Sequence, residues 1–108
     1  MAVTDADIAF VTDLFADIPA ITTRKMFGGL SLYSDGSIFA IIGPDQRIYL
    51  KAYDDLADAL CAEGAEQFSF PKKDGRVGSM AYWTLPDAAQ DDPEQAADWA
   101  RKSLVQNG

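Results

Sequence analysis

The residues in this chain best suited to chemistry are a few cations beside a pair of glycines. Arg24-Lys25-Met26-Phe27-Gly28-Gly29-Leu30 sets Gly28 and Gly29 directly behind a basic and apolar run, with strand-like residues following at once. Adjacent glycines permit a bulge, a bend or close approach of another backbone. They also permit a nest of backbone N–H groups that holds an anion. Arg24, Lys51 and Arg76 could gather beside that nest and hold a phosphate or carboxylate. The competing account is structural: the glycines supply a bend, and Arg24 and Lys51 pair with acids on an acidic surface. Tyr49, Tyr82 and Trp83 could stack a base or another planar ligand. Side chains of this kind more often anchor a core or an interface. The candidate ligand or partner site is therefore Arg24, Gly28, Gly29, Tyr33, Tyr49, Lys51, Tyr82 and Trp83.

Composition removes several classes of chemistry. The chain has no histidine and one cysteine, Cys61. It thus lacks the commonest general base and the commonest transition-metal ligand. Ser-His-Asp and Cys-His arrangements are excluded, and a zinc site is disfavoured. The acids Asp87, Asp91, Asp92 and Glu94 lack the spacing and glycine of a calcium loop, so they read as a solvated linker and a helix cap. Asp54, Asp55 and Asp58 read as capping and solubility residues, with no nucleophile or oxyanion device nearby. The sequence supports no catalytic residue, no metal and no cofactor. Seventeen acids against nine Lys and Arg give a net charge of −8, which repels nucleic acid at long range. Direct nucleic-acid binding is accordingly not expected.

Length and pattern bound the architecture. The 108 residues suit a single domain, 1–108, with one modest core. No run reaches the roughly 18 apolar residues of a membrane span. Met1-Ala2-Val3-Thr4-Asp5 has neither the basic nor the apolar region of a signal peptide. A lone cysteine permits no intrachain disulfide, and a cytoplasmic protein is the expectation.

The elements that must position these residues follow in order. Thr4 reads as an N-cap with Asp7 completing a capping box, and Ile8, Phe10, Val11, Leu14, Phe15 and Ile18 mark one side of a helix ending before Pro19. Ile21-Thr22-Thr23 reads as a connection. Strand character runs from Met26 to Tyr33, Asp35-Gly36 turns a hairpin, and Ser37–Ile42 is the next strand. Gly43-Pro44-Asp45-Gln46 turns into Arg47–Lys51, where Ile48 and Leu50 share one face and Arg47, Tyr49 and Lys51 the other. Asp54 reads as the cap of a second helix to about Ala62, with Gly64 as its C′ residue and Cys61 as a small buried or half-buried hydrophobe. Phe68–Phe70 is a short strand, Lys72–Gly75 a turn, and Arg76–Thr84 a longer strand stopped by Pro86. Asp87–Asp91 is a linker. Asp92-Pro93-Glu94 starts a last helix with Ala96, Trp99, Ala100, Ser103 and Leu104 inward, and Arg101 and Lys102 suit its C-terminal dipole.

These elements predict an α+β fold: two layers, a five-stranded antiparallel sheet with helices on one face, in the order αβββαββα. The sheet face turned from the helices should then be polar, yet Ser37–Ile42 is apolar on both sides, and Tyr33, Tyr49 and either Tyr82 or Trp83 add aromatic area. Such a face suggests a partner surface or ligand groove, unless the stems of Arg47 and Lys51 cover it. A symmetric homodimer through part of this face is expected.

The ordered set Arg24-x-Met26-Phe27-Gly28-Gly29-Leu30-x-Leu32-Tyr33, Gly36-x-x-Phe39-Ala40 and Tyr49-Leu50-Lys51 resembles the TfoX N-terminal domain family. So do Phe68-x-Phe70, Met80-x-Tyr82-Trp83-x-x-Pro86, and Pro93 with Trp99-Ala100. The resemblance spans about residues 8 to 105. It implies a two-layer α+β fold similar to type III secretion chaperones. It also implies a regulatory or adaptor module acting through protein–protein contact, since TfoX proteins are named as regulators of competence genes. TfoX carries a second, helical C-terminal domain, so the likeness is to stand-alone, single-domain members. The family supplies no catalytic residues to carry over. The other reading is an anionic-ligand or enzymatic domain built on Arg24, Gly28-Gly29 and Lys51.

Overall fold

A computed structural model describes residues 4–26, 29–43, 46–71 and 77–107, with backbone alone for 26, 70–71, 77–80 and 107. The elements are α1 (Asp5–Leu14), β1 (Ile21–Met26), β2 (Gly29–Ser34), β3 (Ser37–Ile42), β4 (Ile48–Lys51), α2 (Asp54–Ala62), β5 (Gln67–Pro71), β6 (Val77–Thr84), a 3-10 turn (Asp87–Ala89) and α3 (Pro93–Asn107). All strand pairs are antiparallel, in the order β1-β2-β3-β4-β6-β5. The sheet has six strands rather than five. Ile21-Thr22-Thr23, expected to be a connection, opens β1, which pairs with β2 from Ile21↔Ser34 to Met26↔Gly29. Its β-branched residues favour extension. As an edge strand it needs no strong apolar alternation, and Arg24 and Lys25 are the charges that blunt such an edge. The expected linker Asp87–Asp91 likewise contains the 3-10 turn.

Local signals account for most boundaries. Thr4 Oγ1 accepts from the Asp7 N–H at 3.2 Å while Asp7 Oδ2 accepts from the Thr4 N–H at 2.9 Å, closing the capping box of α1. In the β2–β3 hairpin Asp35 and Gly36 take φ 50° and 83°, the pair of left-handed conformations that a two-residue turn requires. At the end of α2, Ala65 N–H reaches Leu60 O and Gly64 N–H reaches Cys61 O, each at 3.0 Å, with Gly64 at φ 87°. This is a Schellman closure with glycine at C′. Asp92 Oδ1 accepts from the N–H groups of Glu94 and Gln95 at the start of α3.

Three expectations about the helices are corrected. Phe10 is 50% exposed, at the margin of the stripe of which Val11 and Leu14 are the buried part, and α1 stops at Leu14, so that Phe15 and Ile18 enter the core through the turns that follow. Asp54 is the first residue of α2 and not its cap. Tyr53 holds the cap position without a side-chain cap bond. Cys61 is exposed, at the margin of the buried stripe of Leu56, Ala57 and Leu60 in the last turn of α2.

One core joins all three helices to one sheet face. Val11, Leu14 and Phe15, Leu56 and Leu60, and Ala96, Ala97 and Ala100 meet Leu30, Leu32, Phe39, Ala40, Ile42, Ile48 and Leu50. The small residues of α3 let that helix lie close to the sheet, and at about 25 cal/mol per Å² such burial dominates the fold's stability. A bulge shapes this core. Leu32 pairs with Ala40 but Tyr33 pairs with Ile38, leaving Phe39 as the extra residue. Phe39 therefore joins Ala40 on the helix face, edge-on to Phe15 with ring centroids 5.2 Å apart. Ser103 of α3, fully buried, donates to Lys51 O at 2.6 Å and lies 3.3 Å from Phe39 O. Its hydroxyl serves carbonyls at a bulge and at a strand end, where the ladder is interrupted.

Candidate interaction surface

The register settles where the candidate residues stand. Tyr49 and Lys51 alternate with Ile48 and Leu50, whose side chains join the helix-side core, so they lie on the other face. Lys51 pairs with Tyr82 and Leu50 with Trp83. Tyr82 is thus on the face away from the helices, and Trp83 packs against the helix-side core. Arg24 pairs with Ser31, Ser31 with Ile41 and Ile41 with Tyr49, which places Arg24 on the Tyr49 face. Tyr33 is there also. Gly29 is buried at the start of β2, opposite Met26. Gly28 and Arg76 lie outside the described residues, as does the expected Lys72–Gly75 turn.

Arg24 and Lys51 share a face but not a neighbourhood. Arg24 is on β1 and Lys51 on β4, three strand spacings away, or about 14 Å at ~4.8 Å per strand. Arg24 is exposed and makes no ion pair among the described residues.

The aromatic residues of this face pack on one another. Ile41, Tyr49 and Tyr82 form a second buried cluster, at 7%, 3% and 8% exposure, flanked by half-buried Ile38 and Phe68. The Tyr49 and Phe68 rings meet edge to face at 5.0 Å although β6 lies between their strands. Gln67 pairs with Trp83 of the helix face, so alternation sets Phe68 on the Tyr49 face, where the β5–β6 slip between Gln67 and Ser69 leaves it against a stretch of three residues on β6. Arg47, whose guanidinium also pairs with Glu66 at 3.1 Å, sits 5.8 Å from the Tyr49 ring centroid. Burial, with the nearby Tyr33 adding to it, pushes the Tyr82 hydroxyl above the ordinary tyrosine value. At Arg47 it is the guanidinium that lies beside the Tyr49 ring.

Exposed apolar surface lies on the helical side instead. Among the described residues the large exposed hydrophobic side chains are Phe10, Tyr53 and Val105. Phe10 lines a hollow of about 380 Å³ with Asp7, Arg47, Asp87 and Gln90. Val105, 84% exposed, lines a shallow groove of about 600 Å³ between α2 and α3, with Leu56 and Ala59 opposite. The groove is held firmly. The Gln106 side-chain amide pairs with the Tyr53 backbone in both directions, at 3.0 and 2.7 Å, and Tyr53 OH donates to Gln106 O at 2.8 Å. These bonds secure the start of α2, which lacks a side-chain cap. The helical stripe of α3 names Leu104 and passes over Val105. An apolar residue beside the inner stripe, facing outward, was the available signal.

Asp92, the α3 cap, has its carboxyl lowered by hydrogen bonds from the Gln95 side chain and backbone. Among the described residues no group of three or more His, Cys, Asp or Glu side chains could hold a metal ion, and no helix is long and apolar enough to cross a membrane.

A two-layer α+β domain whose sheet aromatics are committed to packing, with firm helical surface left over, is the class the geometry defines. The family model of the TfoX N-terminal domain matches residues 13–106, and the chain belongs to that family. No curated protein matches it.

Proposed function

We propose that this chain is a non-enzymatic regulatory or adaptor module that acts by binding protein. The observation that carries the reading is the use of the sheet aromatics. Tyr49 and Tyr82 are buried in their own cluster and Trp83 belongs to the opposite face, so no stacking platform for a planar ligand is left by these three. The separation of Arg24 from Lys51 argues the same way against a joint anion site. Membership of the TfoX N-terminal domain family supports a regulatory role. Likeness to type III secretion chaperones belongs to this reading, as a small domain that presents a surface to another chain. The acidic charge suits a cytoplasmic protein that does not engage nucleic acid directly.

Affinity capture of the tagged chain from its native cell, followed by reciprocal capture, tests the reading. A protein recovered in both directions, or the chain itself, is expected. Recovery of neither, with thermal stabilisation by a nucleotide or phosphorylated metabolite, would reverse it, because a ligand of the native state must stabilise that state.

A further inference from the structure

We infer that the α2–α3 groove is the seat of a second copy of this chain, in a two-fold dimer whose axis runs along the groove; the inference rests on the protein-binding reading above. The groove has an apolar floor and walls of opposite charge. Leu56, Ala59 and Val105 form the apolar part. The α2 wall carries Asp55, with Asp54 and Asp58 exposed on the same helix. The α3 wall carries Arg101 and Lys102, both exposed. Arg101 is steadied by Asp98 at 3.0 Å, and Lys102 lies 4.7 Å from the Trp99 ring centroid. Both cations are thus oriented while still open to solvent.

The charge pattern selects the occupant. A uniformly acidic partner suits the α3 wall and is repelled by α2, and a uniformly basic partner meets the reverse. An occupant with one acidic and one basic wall at the same spacing satisfies both, and a second copy of this groove has that form. A two-fold axis along the groove exchanges left for right, so the acidic wall of each copy lies against the basic wall of the other. An axis across the groove would set acid against acid. The first arrangement stacks α2 of one copy over α3 of its partner, and the two Val105 side chains close on the apolar floor. An isologous contact of this kind is self-complementary. The Tyr53–Gln106 bonds fix the relative position of the walls before association, which reduces the ordering cost of binding.

Sedimentation velocity of the full chain at micromolar concentration provides the test. The wild type is expected to sediment as a dimer. Val105→Asp is expected to sediment as a monomer with an unchanged far-UV circular dichroism spectrum, since Val105 is solvent-exposed in the single chain. Lys102→Glu and Asp55→Lys are each expected to weaken association by about tenfold or more, and the double swap to regain it. A wild-type monomer overturns the inference. So does a dimer that survives Val105→Asp, which would place the contact on another face and leave the protein-binding reading standing. A monomer that also captures no protein partner removes both.

Discussion

The two faces of the sheet bury similar side chains by different means. One face lies under three helices, and its strand residues reach near-complete burial by contact with Phe15, Leu60 and the alanines of α3. The other has no helix in its cluster, yet Ile41, Tyr49 and Tyr82 are nearly as well buried. There the covering comes from strand side chains, with Phe68 edge-on to Tyr49 and the Arg47 guanidinium beside the same ring. Apolar residues on both faces of a strand therefore do not by themselves mark a partner surface. A sheet can bury them against one another when large side chains of neighbouring strands meet across the same face.

The comparison is sharpest at two neighbouring strand positions. Leu50 and Ile41 are both aliphatic, on adjacent strands and opposite faces. Leu50→Ala is expected to cost about 4 kcal/mol, because the helices above it cannot collapse into the space. Ile41→Ala is expected to cost about 2 kcal/mol, at the low end of the range, since the smaller cluster can relax toward solvent. Urea denaturation of both variants measures the difference. Equal losses would mean that the second face is as firmly packed as the first.

Ser103→Ala probes the helix side alone. Removing the hydroxyl deprives Lys51 O of its donor and takes the neighbouring group from Phe39 O, and a buried unsatisfied acceptor costs about 1–3 kcal/mol. The loss should appear as a lower denaturation midpoint with an unchanged slope. No loss would show that water replaces the hydroxyl and that α3 lies less tightly on the bulge.

Much of this arrangement is legible in the sequence because its signals are local. Thr4 with Asp7, Asp35-Gly36, Gly64 and Asp92 each fix a boundary through chemistry within a few residues. The alternation in β4 correctly separates Tyr49 from Leu50. Other features depend on partners far along the chain. The bulge at Phe39 breaks strict alternation, so a period-two reading divides Ser37–Ile42 wrongly between faces. Tyr82 and Trp83 are interchangeable to a periodic reading until the pairings with Lys51 and Leu50 assign them. β1 escapes notice because an edge strand can be polar. Cys61, beside buried Leu60, is assigned outward by helix packing that its neighbours in sequence do not reveal. The site is less legible than the fold, since Val105 gains its meaning from α2, some fifty residues earlier.

The smallest expected effect separates the faces by titration. Tyr82 lies in the helix-free cluster, and burial raises its hydroxyl pKa above the ordinary value of about 10. The folded chain therefore holds this proton more tightly than the unfolded chain does. The resulting stabilisation is complete below pH about 10 and is lost as pH rises through the folded-state value. In Tyr82→Phe the proton is absent, so that part of the alkaline loss should vanish while the ring still fills its place against Tyr49 and Ile41. Denaturation midpoints of the two proteins should differ little near neutrality and separate above pH about 10, with Tyr82→Phe the more stable. Parallel alkaline profiles would show that water reaches the hydroxyl, and that the cluster closes over the ring but not over its polar end.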